Sequence, residues 1–180
     1  RAVHYPCRPE RRFIPDPDEI ESLVTKRTRA IVVINPNNPT GAVYPRAVLE
    51  AIARIAEKYH LLVLADEIYD QMTYDDAEFT PMATLVQHTL CGTLSGLSKV
   101  YRACGYRVGW AVFSGDVEHS REYLSALELL SSLRLCSNVP GHWAVQTALG
   151  GYQSIRELMI PGGRLYESRK AIIEAVQRSR

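Results

Sequence analysis

Two rhythms of apolar residues alternate along the chain. Continuous runs rich in Val, Ile and Leu occur at AIVVIN (30–35), LLVLADEIY (61–69), TLCGTLSG (89–96) and RVGWAVF (107–113). Runs of this kind predict strands buried on both faces, and AVHYPC (2–7) reads as a further short strand. Between them the period lengthens. Residues 45–59 carry apolar side chains at 48, 49, 52, 55, 56 and 59, one face of a helix opened by Pro45. An earlier helix is announced by Asp16 as cap, Pro17 at its first position and Glu19 three residues on, the pattern of a capping box. Downstream the pattern becomes helical: 117–135, then 139–150 with Asn138 as cap and Pro140 in the first turn. PGG at 161–163 then breaks the chain before a last helix from about residue 164.

Strands alternating with helices predict an α/β fold, a mostly parallel sheet with helices on both faces. Such sheets bind ligands at the carboxyl ends of their strands. The length of 180 residues suits one domain or at most two. A net charge of +1 with scattered basic residues favours neither a nucleic-acid nor a membrane partner, and the longest apolar run, LLVLA, is too short to span a bilayer. The cysteines at 7, 91, 104 and 136 form no C-x-x-C pair and have no histidine at zinc-ligand spacing, so no metal site is expected and a reducing, cytoplasmic location is.

The chemistry gathers where the buried runs stop. The first ends in NPNNPTG (35–41), the second in ADEIY (65–69), and the third runs into SGLSK (95–99), with Arg107 eight residues beyond Lys99. Taken singly, each has an ordinary explanation. Asn, Pro and Gly make turns for backbone reasons, an acidic pair at a strand end is usually solvated, and a lone lysine is usually at the surface. Their joint occurrence, each at a strand end, points to a site. Small and apolar neighbours around Lys99 make it either a surface residue in an odd neighbourhood or a nucleophilic amine kept out of bulk water. No G-x-x-x-x-G-K-[ST], G-x-G-x-x-G or G-x-S-x-G motif is present to support a nucleotide or serine-hydrolase reading.

The set NPNNPTG, ADEIY and SKVYRACGYRVGW resembles the aminotransferase class I/II family, pyridoxal-phosphate enzymes of the aspartate aminotransferase fold. Residues 134–155 with NPNNPTGAVY and YDDAE are most similar to the bacterial glutamate–pyruvate (alanine) aminotransferases within it. The resemblance implies pyridoxal 5'-phosphate as cofactor, the large domain of a fold-type I transferase present as a partial chain, and a homodimer acting on amino acids and 2-oxo acids. It implies that Lys99 bonds the cofactor's aldehyde and moves protons, its amine made nucleophilic by burial and nearby positive charge. It also implies that Asp66 faces the pyridine nitrogen, that Asn38 and Tyr69 donate to the ring's phenolate oxygen, and that Arg107 pairs with the phosphate, where a planar fork suits a dianion. Many relatives place a phosphate-contacting serine three residues before the lysine. Here that residue is Gly96, leaving Ser95, Ser98 or a backbone amide to serve.

Arg134, just before SNVP, has two readings. Related dicarboxylate transaminases carry an arginine near this place that binds the substrate's distal carboxylate in the neighbouring subunit; a cation here also suits a helix carboxyl end. By the same resemblance residues 1–163 form the central part of the large domain and 164–180 the start of a helix leading to a C-terminal small domain. The reaction implied is L-alanine with 2-oxoglutarate giving pyruvate and L-glutamate. The alternatives are a transaminase of other specificity, a lyase of the same fold, or a non-catalytic aminotransferase-like domain of a transcription regulator.

Overall fold

The computed structural model describes residues 1–136 and 138–179. A four-stranded sheet runs in chain order: β1 (Ala30–Ile34), β2 (Leu62–Asp66), β3 (Leu90–Gly96) and β4 (Gly109–Gly115). β1, β2 and β3 pair in parallel, with Ile34 opposite Asp66 and Asp66 opposite Leu94. β4 is antiparallel to β3. The connection decides this direction. Residues 97–108 fold back as a tight loop in which Leu97 N–H donates to Val108 O (3.1 Å) and Ala103 N–H to Leu97 O (3.0 Å), so no crossover helix forms to bring the chain round in parallel.

α1 (Pro17–Ser22) and α2 (Arg46–Lys58) build the main core with one face of this sheet. Successive strand residues point to opposite faces, and Ile31, Val33, Val63, Ala65 and Cys91 point inward onto Leu49, Ile52, Ala53 and Ala56 of α2. Leu49 and Ile52 are fully buried, each burial contributing about 1.5–3 kcal/mol. The opposite face carries Val32 and Leu94, 51% and 37% exposed. Burial on both faces, expected for these runs, is therefore complete only on the α1/α2 side, where the apolar helix faces pack. Glu57 of α2 accepts from the N–H groups of Gln87 (2.8 Å) and His88 (3.0 Å) and so fixes the approach to β3.

The remaining helices are α3 (Arg121–Ser132), α4 (Val139–Gly150), α5 (Ile155–Met159) and α6 (Arg164–Arg178). Asn138 caps α4 as its sequence predicts, its side-chain oxygen accepting from Gly141 N–H (3.1 Å). α5, which the sequence did not announce, anchors a second core of Val100, Ile155 and Met159 under Tyr74 and Tyr101. α3 is shorter than 117–135 and buries no residue.

Two local expectations fail. Residues 2–7 form no strand; Tyr5 instead donates its hydroxyl to Val32 O (2.8 Å), meeting the sheet through a side chain and not a ladder. Asp16 does cap α1, accepting from Asp18 N–H (3.1 Å), but Glu19 turns away to Arg8 (2.6 Å), so the box is half formed. Among the described residues no helix is long and apolar enough to cross a membrane, and no cluster of His, Cys, Asp and Glu is arranged to hold a metal ion.

Candidate active site

The loop after β1 uses its own amides to hold its shape. Asn35 Oδ1 accepts from Tyr44 N–H (2.8 Å); Asn37 donates to Ile34 O and Tyr44 Oη (3.3 Å each) and accepts from Thr40 Oγ1 (2.7 Å). Gly41 closes the turn at φ +72°, a conformation that suits a residue without Cβ. Asn38 is left exposed at the tip, and its amide makes no hydrogen bond among the described residues. One asparagine of the motif is thus available to a ligand while two others build the loop that presents it.

Beyond β2 the chain turns at once. Glu67 N–H donates to Leu94 O (2.9 Å), Asp70 N–H to Glu67 O (3.0 Å) and Met72 N–H to Tyr69 O (2.8 Å). Asp66 accepts from Ile68 N–H through Oδ1 (3.2 Å), leaving its second oxygen without a donor among the described residues. Glu67 breaks the expectation of a solvated acidic pair: it is 6% exposed and accepts from Met82 N–H (2.8 Å). Burial, opposed by that hydrogen bond and reinforced by the charges of Asp70 and Asp66, pushes its carboxyl up to about 7. Burial likewise raises Asp70.

Lys99 stands over the Tyr69 ring, Nζ 5.7 Å from the centroid. It is exposed, contrary to the expectation of an amine kept from bulk water. The reason lies in its neighbours: Leu97 (1% exposed) and Val100 (3%) are the residues drawn into the interior, so the loop turns Lys99 outward. No carboxylate pairs with Lys99 or with Arg107 among the described residues. Arg107, expected within the fourth strand, precedes it in the left-handed region (φ +51°), its guanidinium donating to Cys104 O (2.8 Å). Ser98 follows Leu97, and Arg107 precedes Val108, across the bonded Leu97–Val108 contact, which brings both to one strand end.

Gly96 explains its own departure from the serine pattern. It pairs with Gly109 at the end of the β3–β4 ladder, and a Cβ there would lie 2.8 Å from Val108 O and 3.0 Å from Gly109 Cα. A side chain at this position meets backbone and not space.

Asn38 and Tyr69 line one cleft of about 870 Å³ together with Thr73, Tyr74, Asp75 and Arg169, whereas Asp66, Ser98, Lys99 and Arg107 are not among its lining residues. Sequence reasoning missed this rim. Arg169 of α6 pairs with Asp75 (3.1 Å) and lies 4.7 Å over the Tyr74 ring. The only local signal was YDDAE, and its partner lies far along the chain. Arg134 is not brought to the cleft. It follows α3 in an exposed turn, and its side chain makes no hydrogen bond or ion pair among the described residues; Ser137 of the SNVP segment lies outside them.

The model of the family described as "Aminotransferase class I and II" matches residues 1–180. The chain belongs to the aminotransferase class I and II family. Glutamate-pyruvate aminotransferase AlaA of Escherichia coli (strain K12) is 52% identical over 176 residues, 98% of this chain and 44% of that protein. Alanine aminotransferase of Mycobacterium tuberculosis (strain H37Rv) is 50% identical over 167 residues, 93% of this chain and 39% of that one. The crystal structure of an aminotransferase from Escherichia coli superposes with a TM-score of 0.91 at 53% identity, covering 94% of this chain and 42% of that chain. The chain thus spans less than half the length of these aminotransferases.

Proteins of this class depend on pyridoxal 5'-phosphate. The donor set at the strand ends fits that molecule: among the described residues it offers an amine without a carboxylate partner for an aldehyde, a carboxylate oxygen without a donor for a ring nitrogen, an amide and a phenol for an oxyanion, and a guanidinium without a carboxylate partner for a phosphate.

Proposed function

We propose that the complete protein transfers an amino group between an L-amino acid and a 2-oxo acid, with L-alanine and 2-oxoglutarate as the pair converted to pyruvate and L-glutamate. The reading is supported by the aminotransferases it resembles and rests on one observation: Lys99 Nζ stands 5.7 Å from the centroid of the Tyr69 ring, and Tyr69, three residues beyond the Asp66 that ends β2, lines a cleft together with Asn38.

Pyridoxal phosphate supplies an electron sink that lets the α-hydrogen of an amino acid leave as a proton. Lys99 would hold the cofactor through its amine and would carry that proton at Nζ as general acid and base. Asp66 holds a proton on the ring nitrogen through its free oxygen. Tyr69 Oη and the Asn38 amide orient the ring through its phenolate oxygen, and Asn38 also borders the substrate. Arg107 and Ser98 bind the phosphate, the guanidinium contributing the charge. Arg134 is assigned to the distal carboxylate of the partner subunit's substrate, in a homodimer located in the cytoplasm. Residues 1–163 belong to the cofactor domain, and 164–180 open the helix toward a further domain.

In the complete protein loaded with cofactor, borohydride should fix the cofactor to Lys99, and Lys99→Ala should abolish that adduct and the visible band. A donor screen should then favour alanine. An adduct elsewhere would remove Lys99 from the mechanism; cofactor bound with no turnover of any donor would favour the sensing-domain alternative.

A further inference from the structure

Asp66 and Glu67 are adjacent carboxyls that the strand sends to opposite sides. Asp66 remains half-buried toward the candidate site, while Glu67 goes into the core at 6% exposure. Nothing in the proposed chemistry uses Glu67, and a buried carboxyl is costly to place unless its hydrogen bonds are satisfied. Its bonds locate its role. The Glu67 backbone carbonyl accepts from Asp70 N–H (3.0 Å), and its side chain accepts from Met82 N–H (2.8 Å). One residue therefore ties down both ends of the excursion from Ile68 to Met82. That excursion carries Tyr69 and supplies Met72, Thr73, Tyr74, Asp75, Asp76 and Ala77 to the cleft.

The far end of the tether is firm. Met82 is 1% exposed and opens a 3-10 turn, Met82–Thr84, packed on β3. On the neighbouring strand Asn35 donates its backbone N–H to Asp66 O (3.1 Å), one register position past Ile34–Asp66, which sets it beside Glu67. Asn35 is 2% exposed, and its Nδ2 has no partner among the described residues. A buried donor without a partner among the described residues thus belongs to the residue in register with Glu67. On β3 the Cys91 thiol is pushed up to about 11, chiefly by burial and then by the Glu67 charge.

We propose that Glu67 is a positioning residue that fixes Asp66 and Tyr69 toward the cofactor by pinning both ends of the 68–82 loop to the end of β2. The proposal rests on the cofactor reading above and concerns a residue that touches neither cofactor nor substrate. Gln at this position keeps an oxygen for Met82 N–H; Met keeps the length and removes the acceptor. An orienting role acts on the electronics of the bound cofactor and not on stability alone.

The experiment compares the parent, Glu67→Gln and Glu67→Met in the complete protein. With the cofactor absent, amide exchange over residues 68–82 should be about tenfold faster in Glu67→Met and near parental in Glu67→Gln, because the loop end is released. With pyridoxal phosphate bound, Glu67→Met should shift the pH midpoint of the cofactor's visible absorption and lower kcat about tenfold while KM changes less than about threefold, and Glu67→Gln should restore both. A Glu67→Met protein that is folded but less stable, with parental midpoint and kcat, would overturn the proposal in favour of a purely structural carboxyl. A Glu67→Gln protein as impaired as Glu67→Met would overturn it too. If Glu67→Met does not fold, Glu67→Asp, one methylene short of Met82, is read by the same measurements. A parent without a visible band or a Lys99 adduct counts against the cofactor reading instead, and the exchange comparison still judges the tether.

Discussion

Introducing the family's serine at Gly96 tests whether the β3–β4 junction or the phosphate dictates that residue. Gly96→Ser adds a Cβ 2.8 Å from Val108 O and 3.0 Å from Gly109 Cα, both backbone atoms, with Ile68 Cδ1 at 3.5 Å. Relief requires the Gly96–Gly109 pair and the adjacent Leu97 N–H to Val108 O bond (3.1 Å) to part. Overpacking of this kind costs about 1–3 kcal/mol, and a weakened hydrogen bond adds up to about 1 kcal/mol, so about 1–4 kcal/mol is expected in all. Gly92→Ala is the matched control. Its Cβ would meet Phe113 Cε1 at 2.9 Å and Leu64 Cδ2 at 3.3 Å, side-chain atoms that can turn aside, so a cost below about 1 kcal/mol is expected. Urea unfolding of the complete protein gives the difference, and titration with pyridoxal phosphate gives its effect on the site. The serine variant should bind the cofactor more weakly, because the strained end carries Ser98 and Arg107. Parental stability, or tighter cofactor binding by Gly96→Ser, would refute the steric argument.

Asp66→Asn should retain bound cofactor through Lys99 and Arg107 yet lose turnover by about 100-fold, about 3 kcal/mol of transition-state stabilisation, in steady-state assays; near-normal turnover would remove Asp66 from the mechanism. Arg134→Leu in the complete dimer should raise KM for glutamate and 2-oxoglutarate tenfold or more while sparing alanine and pyruvate, from a charge-assisted contact of about 1.5–3 kcal/mol. Equal effects on both pairs with a lower Tm would assign the arginine to the end of α3. The Glu67 carboxyl, raised from 4.5 to about 7, binds its proton more tightly in the folded state. Parent stability should therefore fall relative to Glu67→Gln as pH rises from about 4.5 to 7 and level off above, the gap approaching about 3 kcal/mol. Parallel pH–stability curves for the two proteins would show that Glu67 ionises normally.

Local chemistry along the chain was enough to find most of the elements. The runs that became β1, β2 and β3, the helix face from Leu49 to Ala56, and the caps Asp16 and Asn138 rest on periods and on hydrogen bonds within a few residues, which sequence displays directly. The same holds for the placing of Asn38, Asp66, Tyr69 and Lys99 at strand ends, because a parallel sheet brings those ends together whatever the side chains are. Tertiary structure decided what depends on remote partners. It made β4 antiparallel through the folded 97–108 loop, and left residues 2–7 without a ladder. It buried Glu67 beside an exposed-side Asp66, turned Lys99 outward over Leu97 and Val100, and forbade a side chain at Gly96. It also joined Asp75 to Arg169 of α6 at the cleft. Hydrophobic period reports which side of an element avoids water; the direction of pairing, the depth of each polar group and the space around each Cα are set by atoms that lie far away along the chain.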